Sequence, residues 1–284
     1  MYHTPQSLPR GRGAPANIAN RYHAWQREDF DDGWQNGNES TTAPKTTLGT
    51  DRSRKIISRN DSPDVLFDHS INPYRGCEHG CIYCYARPTH AWLDLSPGLD
   101  FESKLLHKPE AVELLRDELA KPGYQPKLLA LSGVTDAYQP IERKQRLTRG
   151  LVELLTQTRH PFMIITKSGL IRRDIDRLAE AAANQTVQVS ISLTTLSKPL
   201  ARKLEPRAAS PAQRLETIEA LAEAGIPVKV MLGPVIPVLT DTELENLLTA
   251  ARSAGASAAG YILLRLPHEV RPLFEDWLAK QRPL

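Results

Sequence analysis

Three cysteines, three methionines and 6% aromatic residues are all that this 284-residue chain offers in those classes. So small and odd a number of thiols excludes a disulfide scaffold, because oxidised secreted domains pair an even number. Long apolar runs are missing as well. No stretch approaches the roughly 18 uninterrupted apolar residues of a membrane helix, and the opening MYHTPQSLPRGRG has no apolar segment that would serve as a signal peptide. The sequence therefore predicts a cytoplasmic protein without a membrane partner. An excess of one charge is also lacking: 36 Lys and Arg stand against 33 Asp and Glu, and the basic residues are spread along the chain. A surface this balanced permits a nucleic-acid partner without demanding one.

What is present is 40% hydrophobic content, enough to build a core. Residues 1–60 are rich in Asn, Gly, Gln, Arg, Thr and Asp and show no hydrophobic period. They are expected to form a flexible arm, disordered or loosely draped, because they bury too little apolar surface to offset ordering entropy. Within it Tyr22, Trp25, Phe30 and Trp34 interleave with Arg21, Arg27 and acids, a pattern that suits anchoring to the arm's own domain or contact with a partner.

Residues 61–284 are expected as one domain. DVLFDHSI, from Asp64, alternates as a strand, LDFESKLLHK reads as a short extended piece, and Pro109 opens a helix through Val112, Leu115 and Leu119. KLLALSG (127–133) is a continuous apolar run, the mark of a buried parallel strand. The alternation then repeats: helix Ile141 to Gln157, strand PFMIITKSG, helix Ile171 to Ala183, strand TVQVSISLTT, and a helix capped by Ser210 with Pro211 and Gln213. Strand IPVKVMLGPVIP, a helix from Asp241 to Gly255, strand AAGYILLRLP and an amphipathic segment Glu269 to Lys280 complete it. This α/β pattern predicts about six βα units around a parallel sheet covered on both faces, either doubly wound or an open barrel. No GxGxxG follows the first strand to favour a dinucleotide fold. In either architecture the working residues belong at the C-terminal ends of the strands.

All three cysteines fall within NPYRGCEHGCIYCYARPTH (72–90), spaced Cys77-x3-Cys81-x2-Cys84, with Gly76 and Gly80 loosening the backbone between them. Structural zinc would want a fourth ligand, which His79 or His90 would supply. An iron-sulfur cluster on three thiolates would instead keep one iron without a protein ligand. Unreactive buried thiols are a third reading, opposed by the clustering.

Cys-x3-Cys-x2-Cys with an aromatic, Tyr83, directly before the last cysteine resembles the signature of the radical S-adenosylmethionine (radical SAM) superfamily. That resemblance implies an open (β/α)6 partial TIM barrel and a [4Fe-4S] cluster on Cys77, Cys81 and Cys84, whose open iron chelates SAM. It also implies reductive cleavage of SAM to a 5'-deoxyadenosyl radical that abstracts hydrogen from a substrate, and an electron donor of flavodoxin or ferredoxin type. Further on, SGVTDAYQPIE (132–142), ITKSGLIRRDID (165–176), SLTT (192–195), EPRAASPAQRLETI (205–218) and PVIP (234–237) resemble the spore photoproduct lyase-like branch. The similarity covers about residues 64–267, and the arm's GRG recurs in a bacterial subgroup of that branch.

Carried onto this sequence, the resemblance assigns Ser132, Gly133 and Thr135 to the SAM amino group, Lys167 to its carboxylate and Ser192 to its ribose or carboxylate. Tyr83 would pack over the adenine or shield the cluster, Arg265 would touch SAM or substrate, and Tyr85 is the candidate for a catalytic radical or substrate contact. Asp136 would accept from the ammonium or cap a turn, and Glu205 and Arg207 would shape the pocket or form a surface pair. The chain also departs from the branch. Spore photoproduct lyases carry a further cysteine at the end of the second strand that returns a hydrogen atom to the product radical, and here that region reads Leu131-Ser132. With every thiol in one loop, that route has no donor, and the substrate stays open. A zinc-bearing nucleic-acid-binding module and a non-catalytic iron-sulfur protein remain the alternatives.

Overall fold

The computed structural model describes residues 11–22, 44–59 and 67–281. Its strands are β1 (Thr47–Thr50), β2 (Ile57–Arg59), β3 (His69–Ile71), β4 (Tyr74–Arg75), β5 (Lys104–His107), β6 (Leu129–Leu131), β7 (Phe162–Thr166), β8 (Val187–Ser192), β9 (Val228–Val235) and β10 (Ala258–Leu263). The helices are α1 (Leu99–Ser103), α2 (Ala111–Leu119), α3 (Glu142–Gln145), α4 (Leu147–Gln157), α5 (Ile175–Ala183), α6 (Lys198–Leu204), α7 (Pro211–Glu223), α8 (Leu244–Ser253) and α9 (Val270–Gln281).

One sheet runs β10-β9-β8-β7-β6-β3-β2. Every neighbouring pair is parallel except β2 with β3. The six parallel strands lie side by side in chain order, as right-handed crossovers through helices require, and this is the layout of the open (β/α)6 partial barrel. β7 and β8 are short runs of β-branched and apolar residues, and Ile164, Val189 and Ile191 meet Leu151, Leu155, Leu178, Ile218 and Leu221 of the helices in one core. Ser210, Pro211 and Gln213 open α7 with the capping box expected of them. Among the described residues no helix is long and apolar enough to cross a membrane.

Several elements differ from the sequence reading. The helix expected over 141–157 is two helices, α3 and α4, meeting at Arg146 with φ 54°. The reason lies in Glu142, whose buried carboxylate accepts from the N–H of Thr148 at 3.1 Å and so caps α4 from the preceding turn. LDFESKLLHK holds helix α1 before β5, and β5 joins β1 and β4 in a separate three-stranded sheet. The first turn of the helix expected from Ile171 is a 3-10 turn, Gly169–Asp174. Asp64, Val65 and Leu66 lie outside the described residues. β10 is not covered on both faces: Tyr261 is 70% and Leu263 59% exposed. The segment that would cover it, α9, instead packs Phe274 and Trp277 with Ile82, Tyr83, Leu200 and Leu204.

Of the arm expected over 1–60, Trp25, Phe30 and Trp34 lie outside the described residues, whereas 11–22 and 44–59 drape over the domain. β1 pairs with β5, and β2 pairs with β3 of the main sheet. The N–H groups of Gly13 and Ala14 donate to the Glu102 carboxylate at 2.9 and 2.8 Å, and Asn20 donates to the Ala91 carbonyl at 2.9 Å. These attachments use backbone polar groups and a buried acid, so no hydrophobic period announces them. At Gly13 a Cβ would stand 1.7 Å from the Gly80 carbonyl oxygen, so the arm crosses the cysteine loop backbone to backbone.

Gly13→Val is expected to lift the arm off that loop and destabilise the fold by about 1–3 kcal/mol. Thermal denaturation checks this together with the rate of tryptic cleavage after Arg21, which rises in the variant; an unchanged melting temperature and cleavage rate would contradict the crossing.

Candidate cluster and cofactor site

The cysteine loop is fixed from several sides before any group binds. On one side the Cys77 N–H donates to Phe101 O at 3.0 Å, and on another the Ile82 N–H donates to Leu204 O at 3.1 Å. Gly76 sits at φ 76°, and a Cβ there would lie 2.8 Å from Phe101 O and 2.9 Å from the His90 ring, so only glycine fits. Arg87, fully buried, donates from Nε and Nη2 to Cys81 O at 3.0 and 2.8 Å, from Nη1 to Gly98 O at 3.0 Å, and pairs with Glu102. The segment after β6 closes the third side: Gln139 Oε1 accepts from the Glu78 N–H at 2.9 Å, while Thr135 Oγ1 and Gln139 Nε2 donate to Gly76 O.

Cys77 and Cys81 are buried, Cys84 is half-buried, and all three are free. Burial pushes each thiol up. At Cys77 the nearby Asp136 carboxylate and the other two cysteines add to the rise, and at Cys81 the Glu205 carboxylate adds while the Lys167 ammonium opposes. Buried thiols that raise one another's pKa gain most from a cationic centre that takes them as thiolates and releases their protons. His79 directs Nδ1 to Asp136 at 3.3 Å. His90 puts Nε2 at 3.0 Å from Lys104 O, and burial holds its ring down at about 4; its Nδ1 has no partner among the described residues. Also among the described residues, no three His, Cys, Asp or Glu side chains are grouped to hold one ion. Thiols around a polynuclear cluster bind separate irons and need not converge, so this soft donor set fits an iron-sulfur cluster.

The strand ends gather most of the residues singled out from the sequence. Ser132, past β6, is held at φ 82° with its Oγ accepting from the Ala137 N–H at 2.5 Å; a left-handed serine is a strained position of the kind found at binding sites. Next to it, a Cβ on Gly133 would meet Ser70 at 3.2 Å. Asp136 accepts from Thr166 Oγ1 (2.7 Å), Tyr138 N–H (2.9 Å) and Lys167 N–H (2.8 Å). Burial alone would raise its carboxyl, but His79 and these donors hold it down at about 2. Asp136 thereby caps its own turn and ties the cysteine loop to β7.

Lys167 extends Nζ to Ser192 Oγ at 2.6 Å, lies 3.8 Å from Glu205 Oε1 and sits 5.9 Å from the centre of the Tyr83 ring. Glu205 in turn accepts from Tyr83 OH, Arg214 and, at 2.9 Å, Thr194 Oγ1. Burial would raise this carboxyl too, and the Arg214 and Lys167 charges hold it at about 2. Tyr83, Lys167, Ser192 and Glu205 are thus one connected group. Ser190, on the same strand, is buried with its Oγ unpartnered among the described residues.

Tyr85 is set apart from that group: 58% exposed, it donates to Gly133 O and borders a cavity of about 540 Å³ with Trp92, Arg59, Arg75, Lys108 and Asn72. Arg265 lies exposed just past β10, and Arg207 pairs with Glu78 of the cysteine loop at 3.0 Å, away from Glu205's partners.

Sequence reasoning passed over Arg87, Glu102 and Arg214. Arg214 left a signal, since it shares a buried helical stripe with Thr217, Ile218 and Leu221, and a charge on such a stripe is nearly always paired. Arg87 and Glu102 left none, because apart from each other their partners are main-chain carbonyls and N–H groups.

Comparison with known proteins places this geometry in a family. An uncharacterised protein of Mycobacterium tuberculosis is 39% identical over 219 residues, which are 76% of this chain and 64% of that protein. One from Methanocaldococcus jannaschii is 30% identical over 192 residues, 68% of this chain and 69% of that protein. The chain therefore spans less than two thirds of the mycobacterial relative. Among solved structures, a spore photoproduct lyase variant with bound AdoMet and dinucleoside spore photoproduct superposes with a TM-score of 0.63 at 16% identity, covering 83% of this chain and 66% of that one. A likeness at that identity speaks for the fold. The model of the Radical SAM superfamily matches residues 71–251, from the end of β3 to within α8, and the chain belongs to that superfamily.

Proposed function

We propose that this protein is a radical SAM enzyme in which Cys77, Cys81 and Cys84 hold the [4Fe-4S] cluster and SAM lies over the ends of β6, β7 and β8. The observation that carries the reading is the Lys167 group, which brings a cation, two hydroxyls and an aromatic face together beside the cysteine loop. When bound, the cluster and SAM supply a 5'-deoxyadenosyl radical to a substrate.

The chain's own residues prepare that site. Lys167 is aimed by Ser192 and by the ionised Glu205, and its remaining ammonium hydrogens suit the SAM carboxylate. Arg214, buried and bonded to Glu205 and to Ser192 O, keeps Glu205 ionised as the carboxylate beside Lys167. Tyr83, anchored through its hydroxyl, fixes an aromatic face beside Cys84, where it would flank the adenine or screen the cluster. Ser132, Gly133 and Thr135 bring backbone and hydroxyl groups to the SAM amino end. Tyr85 donates to Gly133 O and lines the 540 Å³ cavity together with Gly133 and Val134, which supports reading it as the substrate-facing residue, with Arg265 a further candidate at the last strand end. The cavity's Arg59, Arg75 and Lys108 beside Tyr85 and Trp92 suit a substrate that is planar and anionic.

Anaerobic reconstitution is expected to give about four irons and four sulfides per chain, and dithionite with SAM to give 5'-deoxyadenosine, with both lost when the three cysteines become alanine. Zinc without labile sulfide would instead establish the metal-bearing nucleic-acid module, and SAM binding without cleavage a non-catalytic iron-sulfur protein. Lys167→Ala is expected to weaken SAM binding by about 10- to 100-fold, the loss of one charged hydrogen bond, measured by equilibrium titration of the reconstituted protein. Tyr85→Phe is expected to leave SAM affinity unchanged while lowering turnover of substrate; weakened SAM affinity there would move Tyr85 into the SAM site.

A further inference from the structure

The inner face of the main sheet holds one charge that the site described above does not use. Strand register puts Ser70, Met163, Ser190 and Lys229 on a single face. It is the face opposite Val189, Ile191, Val228 and Val230, which pack with the helices. Ser192, the partner of Lys167, stands on the same face two residues beyond Ser190, a rise of about 7 Å along the strand. Lys229 is the Cα partner of Ser190 on β8 and of Ala258 on β10. It is half-buried and makes no hydrogen bond or ion pair among the described residues. Gly260 lies opposite Met231, and a Cβ on it would stand 2.7 Å from Lys229 Cε and 2.9 Å from Nζ. The lysine therefore rises through a gap that glycine leaves, toward the strand ends where Lys167 and Ser192 meet. Beside it Ser190 is 0% exposed, with its Oγ unpartnered among the described residues. Lys229 is also the only Lys or Arg in the six parallel strands, and none of them contains an Asp or Glu.

From this arrangement we infer that Lys229, with Ser190, forms a subsite on the inner face of the sheet for an oxyanion group of the substrate, a carboxylate or a phosphate. The inference deepens the function proposed above and rests on its reading of Lys167 and Ser192 as the SAM side of the site. Two ordinary explanations for an inward lysine fail here. Edge strands use inward charges to refuse pairing, but β9 is paired on both sides, with β8 and β10. Nor does Lys229 neutralise an acid, since the strands around it carry none. An ammonium without a counter-charge, set among Ser, Ala, Gly and Met side chains, is a point charge that an anion satisfies. The Ser190 hydroxyl is a second donor in the same place, and a wholly buried hydroxyl seldom lacks a partner unless a group other than the protein supplies one. Depth fits the same reading. A substrate held at Lys229 by its anionic end extends toward the strand ends rather than out of the sheet. At the other side of this face stands Ser70, which also lines the 540 Å³ cavity beside Tyr85. A ligand that enters past Tyr85 therefore meets the surface on which Lys229 stands. The subsite binds and orients, and no bond changes there.

The test uses the full chain, reconstituted and cluster-free, with inorganic phosphate and acetate as probes. Lysines are labelled with an N-hydroxysuccinimide ester and read by peptide mass spectrometry. Saturating anion is expected to slow labelling of Lys229 by about 3- to 10-fold, while Lys198, exposed on α6, labels at an unchanged rate. Protection by phosphate alone assigns the subsite to a phosphate ester, protection by acetate alone to a carboxylate, and protection by both to any oxyanion. In titration calorimetry Lys229→Met is expected to lower the affinity for the protecting anion by about 10- to 100-fold, and Lys229→Arg to hold it within about threefold because the charge is kept. SAM affinity and melting temperature should not change in either variant. Ser190→Ala is expected to weaken the anion by about 3- to 10-fold without lowering the melting temperature, since the hydroxyl it removes has no protein partner; a lowered melting temperature or an unchanged anion affinity in that variant strikes Ser190 from the subsite. Protection of Lys229 by neither anion, or unchanged anion affinity in Lys229→Met, overturns the inference. So does a loss of SAM affinity in Lys229→Met as large as that in Lys167→Ala, which would put Lys229 in the SAM site. The anion measurements need no cluster, so a chain that assembles none refutes the function proposed above while the subsite is still read.

Discussion

The pair on which the cysteine loop depends is Arg87 with Glu102, both fully buried. An unpaired charge in such a place would be costly, and removing one partner of a buried pair typically costs about 3–5 kcal/mol. Here the pair is also saturated with hydrogen bonds. Arg87 collects the carbonyls of Cys81, Pro97 and Gly98, and Glu102 collects the N–H groups of Gly13 and Ala14. Two stretches of irregular backbone, the loop and the arm, therefore share one electrostatic centre. Neither the loop nor the 11–22 stretch of the arm has a secondary-structure ladder of its own, so the pair supplies the order that a helix or sheet supplies elsewhere.

A second buried acid performs a similar service on the other side. Glu205 joins Tyr83, from the cysteine loop, to Arg214 of α7 and Lys167 of β7's end. Asp136 links His79 to β7. Three carboxylates thus hold one loop against the barrel from three directions, and each is met by donors of the protein rather than by solvent. Such a frame is stiff before any cofactor arrives, which lowers the ordering cost of binding one.

The regular part of the fold was legible because burial writes itself into sequence as a period. The apolar runs ending at Leu131, Thr166, Ser192 and Val235 are strands, and the capping box at Ser210 starts its helix where expected. The cysteine spacing was legible for a different reason, since three thiols in so short a loop have few uses. What escaped was order built from main-chain hydrogen bonds. The attachment of 11–14 to Glu102, the break at Arg146 imposed by Glu142, and the grip of Arg87 on Cys81 O involve single side chains meeting backbone atoms, far away in sequence at Glu102 and six residues away at Glu142 and Arg87. β10 misled for a third reason: its composition asks for cover on both faces, yet α9 docks on Ile82 and Tyr83 instead. Lys167 and Ser192 were placed from resemblance, and the structure sets Lys167 Nζ 2.6 Å from Ser192 Oγ.

The meeting of Gly13 with Gly80, where no Cβ fits on the arm, bears on how far the cysteine motif is a unit in its own right. In sequence it is contiguous and short, the sort of stretch that looks portable. In space one of its walls is a pair of glycines from opposite sides of a crossing, one of them far upstream. A loop whose outline is completed by a distant segment is not a cassette. Moved alone onto another barrel, residues 72–90 would carry the thiols but lose the partner surface that gives the backbone its curvature, so the motif and the arm form one inseparable piece of architecture divided by nearly sixty residues of chain.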